Sequence, residues 1–316
     1  MKYRDFGKTG LKVSEVGFGC WAIGGNEHGN SYGQTDDKAS VEAIHKAIDL
    51  GCNFFDTADV YGWGHSEELL GKALKNKREH LIIATKVGGD FYQGHGFQTF
   101  TADYVRFALE KSLERLKTDY VDVYQLHNPP LKTLNRPETY EVLKELKREG
   151  KIRAWGVSIF DPLEGLAAMN VGQPDSLQVV YNVFNTKPAE QLFPLAYERG
   201  CAIIAREPLA NGFLTGKYLP DSEFESGDIR QKWPRDYIRA RVNAAKQLEF
   251  LSKSDYAGLS VAALRYILMN EHVSVVIPGI KTAEQANEDL SASDSRALNK
   301  EELAALTDLQ SKSFNV

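Results

Sequence analysis

Eight short apolar runs, each followed by a stretch with helical spacing, restrict this chain to folds built on a parallel sheet. The runs are Val16–Trp21, Asn53–Phe55, Leu81–Thr85, Tyr120–Leu126, Ile152–Val157, Leu177–Tyr181, Cys201–Ala205 and Val273–Ile277. Between them Asp36–Leu50, Ser66–Lys75, Ala102–Leu116, Pro137–Gly150, Pro162–Asn170, Ala189–Arg199 and Ser260–Met269 read as helices. Ser66 and Thr101 stand where a short side chain caps the first turn of a helix. Eight βα units in 316 residues make one (β/α)8 TIM barrel the economical solution. An open doubly wound sheet is the competitor.

The frame has additions at both ends. Lys2–Phe6 and Leu11–Ser14 flank the turn-rich Gly7-Lys8-Thr9-Gly10, which predicts an opening β-hairpin. Glu284–Leu290 and Lys300–Ser311 read as extra C-terminal helices. The beat runs through residues 1–316, so a single domain is expected. It breaks once, after the seventh run. Leu209–Asp236 is long, polar and rich in Gly and Pro, and helix-like Tyr237–Ser252 follows it. A loop of that length inside a compact domain is usually a lid or binding loop.

Composition excludes several classes. A net charge of −5 and a pI near 5.9 leave no basic footprint for nucleic acid or anionic membrane. No apolar stretch has the length of a signal peptide or a membrane span. Cys20, Cys52 and Cys201 lie in or beside apolar runs, and read as reduced hydrophobes in a cytoplasmic protein. The histidines lack zinc-ligand spacing, so no metal is expected.

Three consecutive run ends carry ionisable groups: Asp56 and Tyr61 after the second, Lys86 after the third, His127 after the fourth. A barrel gathers such residues at the carboxyl ends of its strands. Singly, each has a bland reading: a salt bridge or cap for Asp56 and Lys86, a packing aromatic for Tyr61, a turn residue for His127. Together they describe an acid for a carbonyl oxygen. A phenol of pKa about 10 is a weak acid at neutral pH. A nearby ammonium can lower such a pKa by roughly 1–3 units. Lys86 is that ammonium, Asp56 its partner, and His127 a hydrogen-bonding group for the carbonyl. None of the four donates hydride, so a cofactor is implied.

The aspartate–tyrosine segment Asn53-Phe54-Phe55-Asp56-Thr57-Ala58-Asp59-Val60-Tyr61-Gly62 resembles that of the aldo-keto reductase family. Tyr3–Leu11, Thr85-Lys86 and Val123–His127 extend the likeness to nearly the whole chain. The resemblance implies Asp56, Tyr61, Lys86 and His127 as a catalytic tetrad with Tyr61 as general acid. It implies NADPH bound in extended form, with NADH the lesser choice. No Gly-x-Gly-x-x-Gly follows a strand: Gly17-Phe18-Gly19 lacks the third glycine.

By the same resemblance Ser158 and Gln178 hold the nicotinamide carboxamide. Pro208, Leu209, Gly212 and Lys217 lie in the loop that folds over the pyrophosphate. Gly279, Lys281 and Gln285 surround the adenosine 2′-phosphate, and Glu288 and Asp289 approach the adenine. Two departures stand out. Ile159 occupies the place of an asparagine that helps hold the carboxamide, and Arg206-Glu207 replaces an aromatic–serine pair whose aromatic is the nicotinamide shelf. A guanidinium plane can stack in its stead, or pair with Glu207.

Trp21, Trp63 and Trp233 are the expected pocket walls, from their positions in loops. The expected function is reduction of aldehydes or ketones, or the reverse oxidation of an alcohol or sugar, by a monomer. The alternative is a slow, nicotinamide-sensing regulatory subunit, as some family members assist channels.

Overall fold

A computed structural model describes residues 1–28, 31–75, 77–92 and 97–315. Its eight central strands are β1 (Phe18–Gly19), β2 (Phe54–Asp56), β3 (Ile82–Val87), β4 (Val121–His127), β5 (Ile152–Ile159), β6 (Ser176–Val180), β7 (Ala202–Arg206) and β8 (Val273–Val276). They pair in parallel, each with the next in chain order. Parallel bridges Val16–Val276 and Gly19–Gly279 join first to last. The Gly17 and Gly19 amides donate to the Val276 and Pro278 carbonyls, both at 2.8 Å. A Cβ on Gly19 would stand 2.7 Å from the Pro278 oxygen, so the seam requires glycine there. The sheet is therefore a closed (β/α)8 barrel, and the open-sheet competitor is excluded.

Helices Asp37–Asp49, His65–Ala73, Ala102–Leu116, Glu138–Arg148, Pro162–Val171, Phe193–Arg199 and Leu259–Leu268 follow the first seven strands in turn. Their apolar faces and the outward-facing strand residues make the large core. Inside the barrel, Phe6, Leu11 and Val13 of the N-terminal hairpin (Tyr3–Asp5 with Lys12–Ser14) pack on Phe54, Ile82, Val123, Ile204 and Val275. Phe6 and Phe54 rings lie 5.8 Å apart. Hydrocarbon thus plugs the amino end of the barrel, and polar strand residues are left to the carboxyl end. No helix among the described residues is long and apolar enough to cross a membrane.

Several local expectations change. The helix expected over 189–199 is two, Lys187–Gln191 and Phe193–Arg199, because Pro194 lacks the amide that would continue the first. The helix expected over 237–252 is Arg235–Lys246 followed by a short Glu249–Ser252. Ser66 caps nothing. Its helix starts at His65 behind left-handed Gly64, and the Ser66 hydroxyl donates to Cys20 O and meets the Thr57 hydroxyl, both at 2.9 Å. Thr101 likewise makes no side-chain cap. A small hairpin, Gly89–Asp90 with Phe97–Gln98, follows β3 where spacing predicts no strand. The long segment after β7 is not structureless, since 3₁₀ turns occupy Ala210–Thr215 and Ile229–Lys232.

Candidate active site

The carboxyl ends of β2, β3 and β4 bring the four ionisable residues together. Asp56 closes β2, Lys86 lies in β3, and His127 closes β4. The Lys86 ammonium donates to Asp56 Oδ2 (2.6 Å), to Thr57 O (2.8 Å) and to the Tyr61 hydroxyl (3.0 Å). These bonds use every proton it has. Tyr61 reaches it from a turn beyond β2. Gly62 carries that turn past Gly24, with φ of 59° and space that a Cβ would invade to within 2.0 Å of the Gly24 oxygen. The His127 ring meets the Tyr61 ring edge-on at 5.8 Å.

The other Asp56 oxygen, Oδ1, accepts from Gln178 Nε2 (2.7 Å) and Gln125 Nε2 (3.1 Å). Gln125 pairs in register with Lys86 across β3 and β4. Sequence reasoning missed Gln125. Strand alternation could have placed it on the same face as His127, two residues on, but nothing in the sequence sets its reach to Asp56.

Burial governs the electrostatics. Lys86 is fully buried, and Asp56 is 2% exposed. Burial alone would drive Lys86 neutral, but the charges of Asp56 and Tyr61 and their hydrogen bonds outweigh it and hold its pKa above the ordinary lysine range. Tyr61 departs from expectation. Burial raises its pKa, and the pull of Lys86 offsets this only in part, so the phenol keeps its proton. Burial, with the charges of Lys86 and Arg206, pushes His127 well below the usual histidine range, so its ring is neutral near pH 7.

The residues expected around a coenzyme fall into three groups. The first faces the tetrad. Ser158 pairs in register with His127 on one side and Gln178 on the other, and its hydroxyl donates to Asn128 Oδ1 (3.0 Å). Gln178 spends its amide on Asp56 and, at 3.3 Å, on Gln125 Oε1. Arg206 does form the pair with Glu207 (2.6 Å), and also donates to Ile159 O (3.1 Å) and stands over the Phe160 ring at 4.8 Å. Its Nε is buried without a partner among the described residues.

The second group is a clasp. Lys281 donates to the carbonyls of Tyr32 and Gln34. Tyr32 donates to Asn211 Oδ1 (2.5 Å), and Arg230 donates to Asn211 O (3.0 Å) while lying against the Tyr32, Tyr218 and Phe224 rings. Pro208 is buried at the root of this loop with Leu209 half-buried, and Gly212 turns it at φ 89°. Lys217 is exposed on its outer side. The third group lies beyond β8. Gln285 Oε1 accepts from the Lys281 amide (2.8 Å), the Glu288 carboxylate accepts from Ser260, and Asp289 is buried, which raises its pKa. A Cβ on Gly279 would find only Ala22, at 3.8 Å.

The tryptophans separate. Trp63, two residues past Tyr61, is 47% exposed with left-handed backbone (φ 52°), and stacks on His28 at 4.0 Å. Trp21 meets Tyr32 edge-on at 4.4 Å. Trp233 packs with Phe213 and Tyr237 of its own loop and the helix behind it.

Barrel enzymes gather ionisable groups from several strands at this mouth, and here a carboxylate, a phenol, an ammonium and an imidazole meet, none of which can donate hydride. Comparison supplies the family. The model of the Aldo/keto reductase family matches residues 15–311, and the chain belongs to that family of oxidoreductases. It is 37% identical to the aldo-keto reductase YhdN of Bacillus subtilis (strain 168), covering 96% of this chain and 91% of that one. It is 30% identical to the NADH-specific methylglyoxal reductase of Escherichia coli (strain K12), covering 92% and 93%. Among solved structures it resembles the glycerol dehydrogenase AKR11B4 from Gluconobacter oxydans, with TM-score 0.82, 30% identity, and 98% and 95% of the two chains covered.

The buried pair makes a stability prediction. Lys86→Met leaves the Asp56 carboxylate without its counter-charge, and should cost about 3–5 kcal/mol. Asp56→Asn strands the ammonium in the same way. In urea denaturation the double variant should lose clearly less than the sum of the two single losses. Additive losses would mean the two side chains are not coupled.

Proposed function

We propose that the chain is an NADPH-dependent reductase of aldehydes and ketones, able to run in reverse on an alcohol, with Tyr61 as general acid. The observation that carries this reading is the phenol held 3.0 Å from a buried, paired ammonium beside a neutral imidazole. A bound reduced nicotinamide supplies the hydride to the carbonyl carbon.

The protein's own groups handle the proton and the charge. As negative charge builds on the carbonyl oxygen, Tyr61 transfers its hydroxyl proton there. The phenolate left behind is stabilised by Lys86, which Asp56 keeps cationic. A raised phenol pKa in the resting site means the proton leaves only when that oxygen demands it. Neutral His127 donates a ring N–H to the same oxygen and fixes its direction. Water is a poor competitor here, since Lys86, Asp56, Gln125 and Gln178 are all at most 2% exposed.

The residues present fit a nicotinamide nucleotide. Arg206 offers a flat guanidinium with one buried nitrogen still unbonded among the described residues, where the family has an aromatic shelf. Ser158 stands at the family's carboxamide position with Asn128 hydrogen-bonded to it. Coenzyme choice rests on Lys281. Its ammonium donates to two loop carbonyls, which leaves one proton for a 2′-phosphate. Burial lowers its pKa, the Asp228 carboxylate opposes this, and Arg230 and Lys217 add to it, so two further cations stand near, Arg230 already paired with Asp228. The family alone does not decide, since one relative is NADH-specific.

Two variants test the reading. Tyr61→Phe should abolish aldehyde-dependent NADPH oxidation while leaving NADPH binding nearly intact by fluorescence titration; wild-type rates would refute Tyr61 as the acid. Lys281→Met should weaken NADPH roughly ten- to a hundredfold, the loss of one charge-assisted bond. NADH binding should barely change. An equal loss for both coenzymes would assign Lys281 to the clasp and not to the phosphate.

A further inference from the structure

We infer that Gln125 is a positioning residue for the reaction: it locks the second Asp56 oxygen, and through Asp56 keeps the Lys86 ammonium aligned on Tyr61. This rests on the reading of Tyr61 as the acid. The tetrad needs Asp56 in one rotamer, because Lys86 takes only Oδ2. Left alone, Oδ1 would be an ionised acceptor in a dry interior, and the carboxylate could swing to share both oxygens with Lys86 or move away from it. A buried anionic oxygen demands donors. Two amides provide them, Gln125 at 3.1 Å and Gln178 at 2.7 Å.

The orientation of Gln125 is forced. A carboxylate only accepts, so the Gln125 NH2 must face Asp56. Its Oε1 is taken by the Gln178 amide at 3.3 Å, which closes a triangle of Asp56, Gln125 and Gln178. Gly156 is the register partner of Gln125; a Cβ there would strike Ser176 Oγ at 2.2 Å but only touch Gln125 Cγ, at 3.4 Å. The two glutamines differ in one respect. Gln178 falls at a coenzyme-facing position by family resemblance, whereas the Gln125 side chain bonds only to Asp56 and Gln178 among the described residues. Gln125 therefore acts through Asp56 alone.

Charged and titratable groups face this cluster from several elements. They are Lys86 and Tyr61 in direct contact, Cys20 from the turn after β1, Asp59 beyond β2, His127 at the end of β4 and Arg206 at the end of β7. Amide donors to a carboxylate favour its charged form, and a second carboxylate in their place disfavours it.

The test uses Gln125→Leu, Gln125→Glu and a Tyr61→Phe control, with kcat and KM measured from acid to alkaline pH. Gln125→Leu should lower kcat roughly ten- to a hundredfold, the loss of one hydrogen bond to a charged group, with KM for the coenzyme unchanged. Gln125→Glu should be slower still at alkaline pH, where two carboxylates face each other. Its activity relative to wild type should recover as the pH falls, because the introduced carboxyl, once protonated, can again donate to Oδ1. A purely structural defect would not recover with acid. A Gln125→Leu kcat within about twofold of wild type overturns the inference. So does a Gln125→Glu ratio flat with pH, which is decisive even if the leucine variant does not fold. If Tyr61→Phe turns over normally, the underlying reading of the acid has failed instead.

Discussion

A lysine and an aspartate buried together at the mouth of a barrel set the terms for the rest of this structure. Each would be neutral or unstable in that place alone. Together they persist because all three ammonium protons and both carboxylate oxygens are bonded: the ammonium to Asp56, Thr57 O and Tyr61, the carboxylate to Lys86 and two glutamine amides. Those partners come from β2, β3, β4 and β6 and from the turn beyond β2. Asp56 and Lys86 sit on neighbouring strands, but the glutamine amides that complete Asp56 come from β4 and β6, which reach it across the closed barrel. The hydrocarbon plug of the N-terminal hairpin has its role here as well, since it keeps polar residues and any ligand to the opposite end.

Much of this is legible in the sequence. The alternation of apolar runs and helical spacing marks all eight strands within a few residues, because each strand is buried on both faces and so reads as continuous hydrocarbon. Asp56, Lys86 and His127 are legible as chemistry because an ionisable residue at the end of such a run has no apolar reason to be there. Helix ends are less so. Ser66 resembles a cap, but its hydroxyl is drawn to Cys20 O and Thr57, a tertiary contact that outweighs the local one. Pro194 splits a helix that spacing alone makes continuous.

What the sequence hides is cross-barrel reach. Gln125 is a polar residue in a buried strand, and only the register of β3 against β4 puts it beside Lys86. The sign of the Tyr61 shift is also hidden, because it depends on how completely the ring is buried relative to its distance from Lys86. The clasp of Tyr32, Asn211, Arg230 and Lys281 joins segments as much as 249 residues apart, two of its bonds ending on backbone carbonyls that carry no sequence signal. Left-handed Glu207, Ala210 and Asn211 shape its root, conformations for which only Asn211 is a usual choice.

The central claim is that Lys86 is a permanent cation in a dry site. Its Nζ resonance, followed by 15N NMR across a pH titration, measures this directly. The account predicts an ammonium signal that persists past the ordinary lysine pKa of about 10.4, and that loses this resistance when Asp56 is replaced by Asn. A Lys86 amine already neutral at about pH 8, as desolvation without a partner would make it, would contradict the account.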